Sequence, residues 1–122
     1  MNKQSLLLRS KQMEISVIIC TYNTKEITLS CLDKLKESIN FLKKRVEVIL
    51  IDNGNDGTGR EIKNKYTWVK LIEPKENTGF AKGNNLGIKV ADKNSKYYLF
   101  LNTDAFVNRD TLSKSISFMD IN

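Results

Sequence analysis

Four short apolar runs punctuate the chain, and stretches with helical spacing lie between them. The runs are Ile15 to Cys20, Val46 to Ile51, Trp68 to Ile72 and Tyr97 to Leu101. Three of them are nearly continuous rather than alternating, the pattern of strands covered on both faces, as in a parallel sheet. The run at Trp68 alternates more and reads as an edge strand. Between the first two runs, Ile27, Cys31, Leu35, Ile39 and Leu42 fall four or three residues apart and make one face of a helix. Thr24 is placed to cap it. Shorter helices fit Gly57 to Tyr66, Gly79 to Asp92 with Thr78 as cap, and Asp110 to Met119 with Leu112, Ile116 and Met119 on one face. Strand and helix therefore alternate four times. That order predicts an α/β fold of right-handed parallel βαβ units.

Length and composition narrow the picture. The 122 residues predict one domain, large enough to hold a core without staples. Residues 1–13, with Leu6-Leu7-Leu8 between Lys3 and Arg9, read as a loose N-terminal arm whose apolar core is too short for a signal peptide. The domain proper is expected over 14–122. No run of about 18 apolar residues is present to span a membrane. There is no histidine, which removes Ser-His-Asp and Cys-His systems, histidine bases and most zinc sites. Cys20 and Cys31 do not form a C-x-x-C and read as two buried free thiols, in keeping with a reducing compartment. The net charge of +6 is spread along the chain, with one dense cluster at Lys43-Lys44-Arg45. A solvated helix end is the favoured role for that cluster, with contact to anionic lipid or a phosphate-bearing acceptor as the weaker alternative. No aromatic residues interleave with it, which argues against nucleic acid.

In an open parallel sheet, ligands sit beyond the carboxyl ends of the strands. The loops following the runs are polar there. Thr21-Tyr22-Asn23 offers a hydroxyl, an aromatic plate and an amide, which suit either a nucleobase or a turn leading into a helix. Neither G-x-G-x-x-G nor a P-loop is present, so a nicotinamide site and a P-loop NTPase are not supported. Asp52 closes the second run and can accept hydrogen bonds from a base or a ribose. Gly54, Gly57 and Asp56 fit a turn. Gly79, Gly83 and Gly87 recur every four residues and share one helix face. Each glycine costs about 1 kcal/mol against alanine in a helix interior, so close packing or close approach of a phosphate must offset it. Gly79 stands nearer a ligand in this reading and Gly87 in packing, with Lys82, Asn84 and Asn85 within two turns of the helix start. Asn102-Thr103-Asp104 follows the last run. An acid facing a diphosphate needs a divalent cation between them.

Taken in order, four segments resemble the nucleotide-binding half of family 2 glycosyltransferases, the inverting GT-A type. They are Ser16-Val-Ile-Ile-Cys-Thr-Tyr-Asn23, Ile51-Asp-Asn-Gly-Asn-Asp-Gly-Thr58, Glu76-Asn-Thr-Gly-Phe-Ala-Lys-Gly-Asn-Asn-Leu-Gly87 and Leu99-Phe-Leu-Asn-Thr-Asp104. The resemblance implies a three-layer, Rossmann-like GT-A domain with a mainly parallel sheet, cut short of its acceptor half. It implies a nucleotide-diphospho-sugar donor (UDP, dTDP or GDP) and an Mg²⁺ or Mn²⁺ ion. Thr21, Tyr22, Asn23, Asp52, Asn53, Gly79, Lys82, Asn85, Asn102 and Thr103 would bind the donor, and Asp104 would hold the metal. Asn102 stands where the family's D-x-D motif has its first acid, a form similar to the rhamnosyltransferase-like branch. Asn53 replaces another common acid, and both changes make the site less negative. The catalytic base is expected outside this chain, since Asp110 and Asp120 are poorly placed by pattern. The implied protein transfers sugar to a saccharide or lipid-linked acceptor in cell-surface polysaccharide or glycoconjugate synthesis. It would be cytoplasmic or peripheral to the membrane, with self-association left open. A non-catalytic nucleotide-sugar-binding module is the alternative. A nucleotidyltransferase would want a Gly-rich, basic loop after the first run.

Overall fold

Each apolar run forms a strand, and the four strands make one parallel sheet in the order β3-β2-β1-β4. The computed structural model describes residues 12–122. Along the chain come β1 (Ile15–Thr21), α1 (Lys25–Leu42), β2 (Val46–Asp52), α2 (Thr58–Lys65), β3 (Val69–Ile72), α3 (Gly79–Val90), β4 (Tyr97–Phe100) and α4 (Thr111–Ile121). The fold expected from alternation is the one observed. Most of the arm expected at 1–13 lies outside the described residues. Packing is already established at Met13, which is buried and accepts a hydrogen bond from the Lys96 N–H at 3.0 Å.

Two apolar layers sandwich the sheet. On one face Val17, Ile19, Val48 and Leu50 pack with Leu32 and Leu35 of α1, Ile62 of α2, and Leu112 and Ile116 of α4. On the other, Ile18, Ile49 and Ile51 meet α3 through Leu86 and the Ala91 that follows the helix. Burial on both sides explains why β1 and β2 read as unbroken apolar runs.

β4 departs from expectation. It is an edge strand, and its burial alternates, with Tyr98 and Phe100 exposed at 42% and 46%. The reason is coverage: α3 lies across β1 and β2 and leaves β4 bare on that face. Helix starts also differ in detail. Neither Thr24 nor Thr78 makes a side-chain cap. Asp56 accepts from the Lys25 N–H at 2.9 Å instead, and Asn77 accepts from the Gly79 N–H at 2.8 Å. Met119, expected on the buried face of the last helix, is half exposed. Both cysteines are free; Cys31 is buried, whereas Cys20 is only partly so. Burial pushes both thiols up in pKa, so neither is an activated nucleophile. The Lys43-Lys44-Arg45 cluster caps α1 as expected, with Lys43 in the left-handed conformation and Lys44 paired to Glu14 at 3.5 Å. Among the described residues no helix is long and apolar enough to cross a membrane.

Candidate functional site at the carboxyl edge of the sheet

The in-register ends of β1 and β2 place Thr21 opposite Asp52. From there two loops interlock. The Asn53 N–H donates to the Thr21 carbonyl at 2.9 Å, and the Asn55 N–H donates to Asn23 Oδ1 at 2.7 Å. Asn23 holds a left-handed φ of 51° to make that contact, a conformation asparagine tolerates. Gly54 is required by the fit: a Cβ there would lie 2.6 Å from the Asn23 backbone nitrogen.

Asp52 is the buried centre of this edge. Its carboxylate accepts from the Gly54 N–H at 3.0 Å and the Gly59 N–H at 3.1 Å, which folds loop 53–58 around it. Burial raises its pKa, and the negative charges of Asp56 and Glu73 add to that; the two backbone donors offset only part. Each carboxylate oxygen has lone pairs beyond those two bonds. An incoming N–H or O–H donor would therefore relieve an under-solvated anion.

Asp56 joins the start of α1 to the start of α2. Besides Lys25 it accepts from the Thr58 N–H at 3.2 Å and the Thr58 hydroxyl at 2.5 Å. Partial burial opposes its ionisation, and these hydrogen bonds outweigh that, so its pKa lies below the usual carboxylate value. A depressed acid contributes stability above the unfolded pKa of about 4, lost as pH falls through the folded value. Asp56→Ala should cost about 1–2 kcal/mol at neutral pH by removing two helix-start contacts. Urea unfolding at pH 7 and pH 3 checks this: the gap between variant and parent should shrink at pH 3.

Asn53 ties the edge to α3. Its side-chain oxygen accepts from the Thr78 N–H at 3.1 Å and Thr78 hydroxyl at 3.0 Å, and its amide donates to the Gly79 carbonyl at 3.4 Å. Gly79 has φ of 75° with open space around it, so backbone conformation is what it supplies. Gly83 and Gly87 are packing positions: a Cβ at Gly83 would lie 2.7 Å from Cys20 Sγ, and one at Gly87 would collide with Ile18.

The expected site residues divide into three groups. Asn23, Asp52, Asn53 and Gly79 are joined in one hydrogen-bonded edge, with the Tyr22 ring exposed beside it. Thr21 belongs to the edge by its backbone only. Its hydroxyl bonds Thr24 and Thr28 at 3.0 and 2.7 Å and so faces α1 rather than a ligand. Lys82 and Asn85 line a hollow of about 420 Å³ on the flank of α3, with Thr78 and Leu86. Thr103 and Asp104 line another of about 430 Å³ against Glu26, Ser30 and Lys34 of α1. Asn102 is exposed at the end of β4.

Three contributors were not expected as site residues. Asn84, rather than Asn85, turns to the sheet end and meets Cys20 Sγ at 3.3 Å. Asp56 and Thr78 build the loops. Helical phase could have found Asn84, since it lies three residues before Gly87, which packs on the sheet.

Asp110 and Asp120 are poorly suited as bases. Asp110 is paired to Lys114 at 3.1 Å, a bond that holds its pKa low. Asp120 bonds Tyr97 and Lys96 at the start of β4, the opposite end of the sheet. No three metal-ligating side chains cluster among the described residues. One carboxylate beside an amide and a hydroxyl still fits a hard cation that takes its remaining oxygens from a diphosphate and water.

Comparison with known proteins agrees with this architecture. The sequence profile of the family described as "Glycosyl transferase family 2" matches residues 16–122. The chain is 34% identical over 113 residues to an uncharacterized glycosyltransferase of Haemophilus influenzae, covering 86% of this chain and 42% of that protein. It is 29% identical over 112 residues to the poly(ribitol-phosphate) beta-N-acetylglucosaminyltransferase TarS of Staphylococcus aureus, covering 88% of this chain and 19% of TarS. The crystal structure of TarS 1-349 in complex with UDP superposes with a TM-score of 0.72 at 25% identity, over 89% of this chain and 32% of that one. The mannosyltransferase PcManGT from Pyrobaculum calidifontis, solved with GDP-Man and Mn²⁺, also gives 0.72, over 90% of this chain and 33% of that one; at 24% identity the likeness is one of fold. The chain thus spans less than half the length of these relatives. With the profile running from β1 to the last residue, this chain belongs to glycosyl transferase family 2.

Proposed function

We propose that this chain forms the donor-binding part of an inverting sugar transferase that uses a nucleotide-diphospho-sugar. The observation that carries the reading is the Asp52-centred edge, a buried, under-solvated carboxylate with free lone pairs beside an exposed tyrosine ring. A nucleoside supplies both matching features, a flat base for Tyr22 and N–H or hydroxyl donors for Asp52. Asn23, Asn53 and Gly79 shape the pocket, while Lys82 in the first turn of α3 favours the diphosphate, as a helix start does. Asn102 and Thr103 face the ribose or the sugar.

The reaction is an in-line displacement. An acceptor hydroxyl oxygen bonds to the anomeric carbon as the bond to the diphosphate oxygen breaks, inverting that carbon. The nucleoside diphosphate leaves with the electron pair, and a general base takes the hydroxyl proton. Lys82 and the α3 N–H groups stabilise the charge gathering on the leaving group. Bound Mg²⁺ or Mn²⁺, held by Asp104, would neutralise the diphosphate. TarS is named for transfer to poly(ribitol-phosphate), which supports a polyhydroxyl polymer as acceptor; a lipid-linked saccharide, met in the cytoplasm or at the membrane surface, is the other acceptor this reading allows.

Calorimetry with UDP, dTDP and GDP, each with and without Mn²⁺, tests the reading. One nucleotide is expected to bind at least 10-fold more tightly than the others. Asp52→Ala should weaken that binding about 10-fold or more with or without metal, the loss of a charge-assisted hydrogen bond. Unchanged affinity would leave Asp52 as a loop former only.

A further inference from the structure

Given the donor-binding reading, we infer that the base this site takes is guanine, selected by Glu73 beside Asp52. Glu73 is the first residue past β3. Ile51 pairs with Ile72 in the parallel register of β2 and β3, so Asp52 and Glu73 follow side by side at the two strand ends. Positions paired in register share one face of a sheet. Pro74 favours extended backbone at Glu73, which keeps that residue in line with its strand. A Cβ on Gly59 would collide with Glu73 Oε2 and lie 3.3 Å from Asp52 Oδ2. The two carboxylates therefore flank one gap that a glycine leaves open. Lys63, one turn along α2 from Gly59, pairs with Glu73 Oε1 at 2.7 Å and leaves Oε2 as the oxygen at the gap.

Each Asp52 oxygen holds one backbone N–H and keeps a lone pair for a base N–H. Tyr22 offers a flat ring to any base, so the choice falls to the base edge that meets the acids. Adenine and cytosine present a bare ring nitrogen there, which a carboxylate repels. Uracil and thymine present an imide N–H with a carbonyl on either side. Whichever way such a base turns, one carbonyl oxygen meets Glu73 with no proton between them. Guanine differs, because its N1–H has a carbonyl on one side only and an amino group on the other. With N1–H on Asp52, the amino group donates to Glu73 Oε2 and the carbonyl turns away. The two acids thus form an acceptor pair matched to two adjacent donors. Glu73 acts against uracil as well as for guanine, since an acceptor facing an acceptor costs more than one hydrogen bond gains. Lys63 is engaged by the other oxygen of Glu73 and so does not serve a uracil carbonyl.

Calorimetry of the chain with GDP, inosine diphosphate, UDP and dTDP in Mg²⁺ tests this. GDP should bind about 10-fold or more tightly than UDP or dTDP, the worth of one charge-assisted hydrogen bond. Inosine diphosphate lacks only the amino group of GDP and should bind about 10-fold more weakly than GDP. Glu73→Ala should bring these two within about 2-fold of each other, because the pair that distinguishes them is gone. Glu73→Gln, whose amide can donate to a carbonyl, should raise UDP affinity about 5-fold or more. The Glu73 side chain is nearly half exposed and lies outside the core, so the circular dichroism of both variants should match the parent. UDP or dTDP binding as tightly as GDP would overturn the guanine assignment and leave the donor-binding reading standing. A preference for GDP over inosine diphosphate that survives Glu73→Ala would do the same. Binding of none of the four nucleotides would overturn both.

Discussion

Replacing Gly87 with valine is expected to destabilise the protein by about 3 kcal/mol, the upper range of core overpacking. Helix propensity alone predicts the opposite sign, because almost any residue is a better helix former than glycine. Sterics should win here. The position is buried, and a Cβ would collide with Ile18 Cγ2 and come within 3.2 Å of Ile51 Cδ1. Both isoleucines are fully buried in the sheet, so neither has room to retreat. The helix must instead lift from the strands and open a gap along its length. Gly87→Ala should cost about 1–2 kcal/mol by the same mechanism. Urea unfolding followed by circular dichroism gives both values, and a variant as stable as the parent would mean that the glycines serve no packing role. Lifting α3 should also weaken nucleotide binding, because Asn53 is bonded to Thr78 and Gly79 at its start.

The second large effect is expected at Asp104. Nucleoside diphosphate should bind at least 10-fold more tightly with Mn²⁺ than with EDTA, and Asp104→Ala should abolish that difference. The magnitude follows from charge. An exposed acid next to a diphosphate repels it, and a divalent ion between them converts that repulsion into attraction. Glu26 lines the same hollow, but no group of three metal-ligating carboxylates or thiols gathers among the described residues to hold the ion once Asp104 is gone. The variant should therefore bind in EDTA as well as the parent, or slightly better. Equal affinity of the parent with and without metal would remove Asp104 from this role.

Much of this was legible in the sequence, and the exceptions have physical causes. The apolar runs at β1 and β2 and the helical spacing of α1 are strong signals because burial on two faces, or along one stripe, leaves a period in the chain. The β4 run misled for a related reason: Tyr98 and Phe100 are apolar although exposed, so pattern alone could not separate coverage from its absence. The start of α1 was misassigned because its capping group comes from elsewhere, whereas that of α3 was off by one residue, Asn77 in place of Thr78. Asp56 serves α1 from 31 residues away, a contact no local reading contains. At the candidate site, the acids, amides and glycines stand out in the sequence by type and by position after each strand. Their division of labour does not. Thr21 and Asn53 are the residue types that hold ligands, yet their side chains are committed to α1 and α3 respectively. Only the three-dimensional neighbours show this.

The central claim is that a nucleotide-diphospho-sugar binds across the carboxyl edge of the sheet. Amide resonances of the ¹⁵N-labelled chain, followed during titration with UDP-, dTDP- and GDP-sugars in Mg²⁺, test it most directly. One donor is expected to cause saturable shifts at Tyr22 and Asn23, at Asp52 to Gly59, at Gly79 to Lys82 and at Asn102 to Asp104, with the amino edge around Glu14 and Lys96 unmoved. Saturable shifts confined to the amino edge or to the outer face of α1, or no saturable shift with any of the three donors, would contradict it.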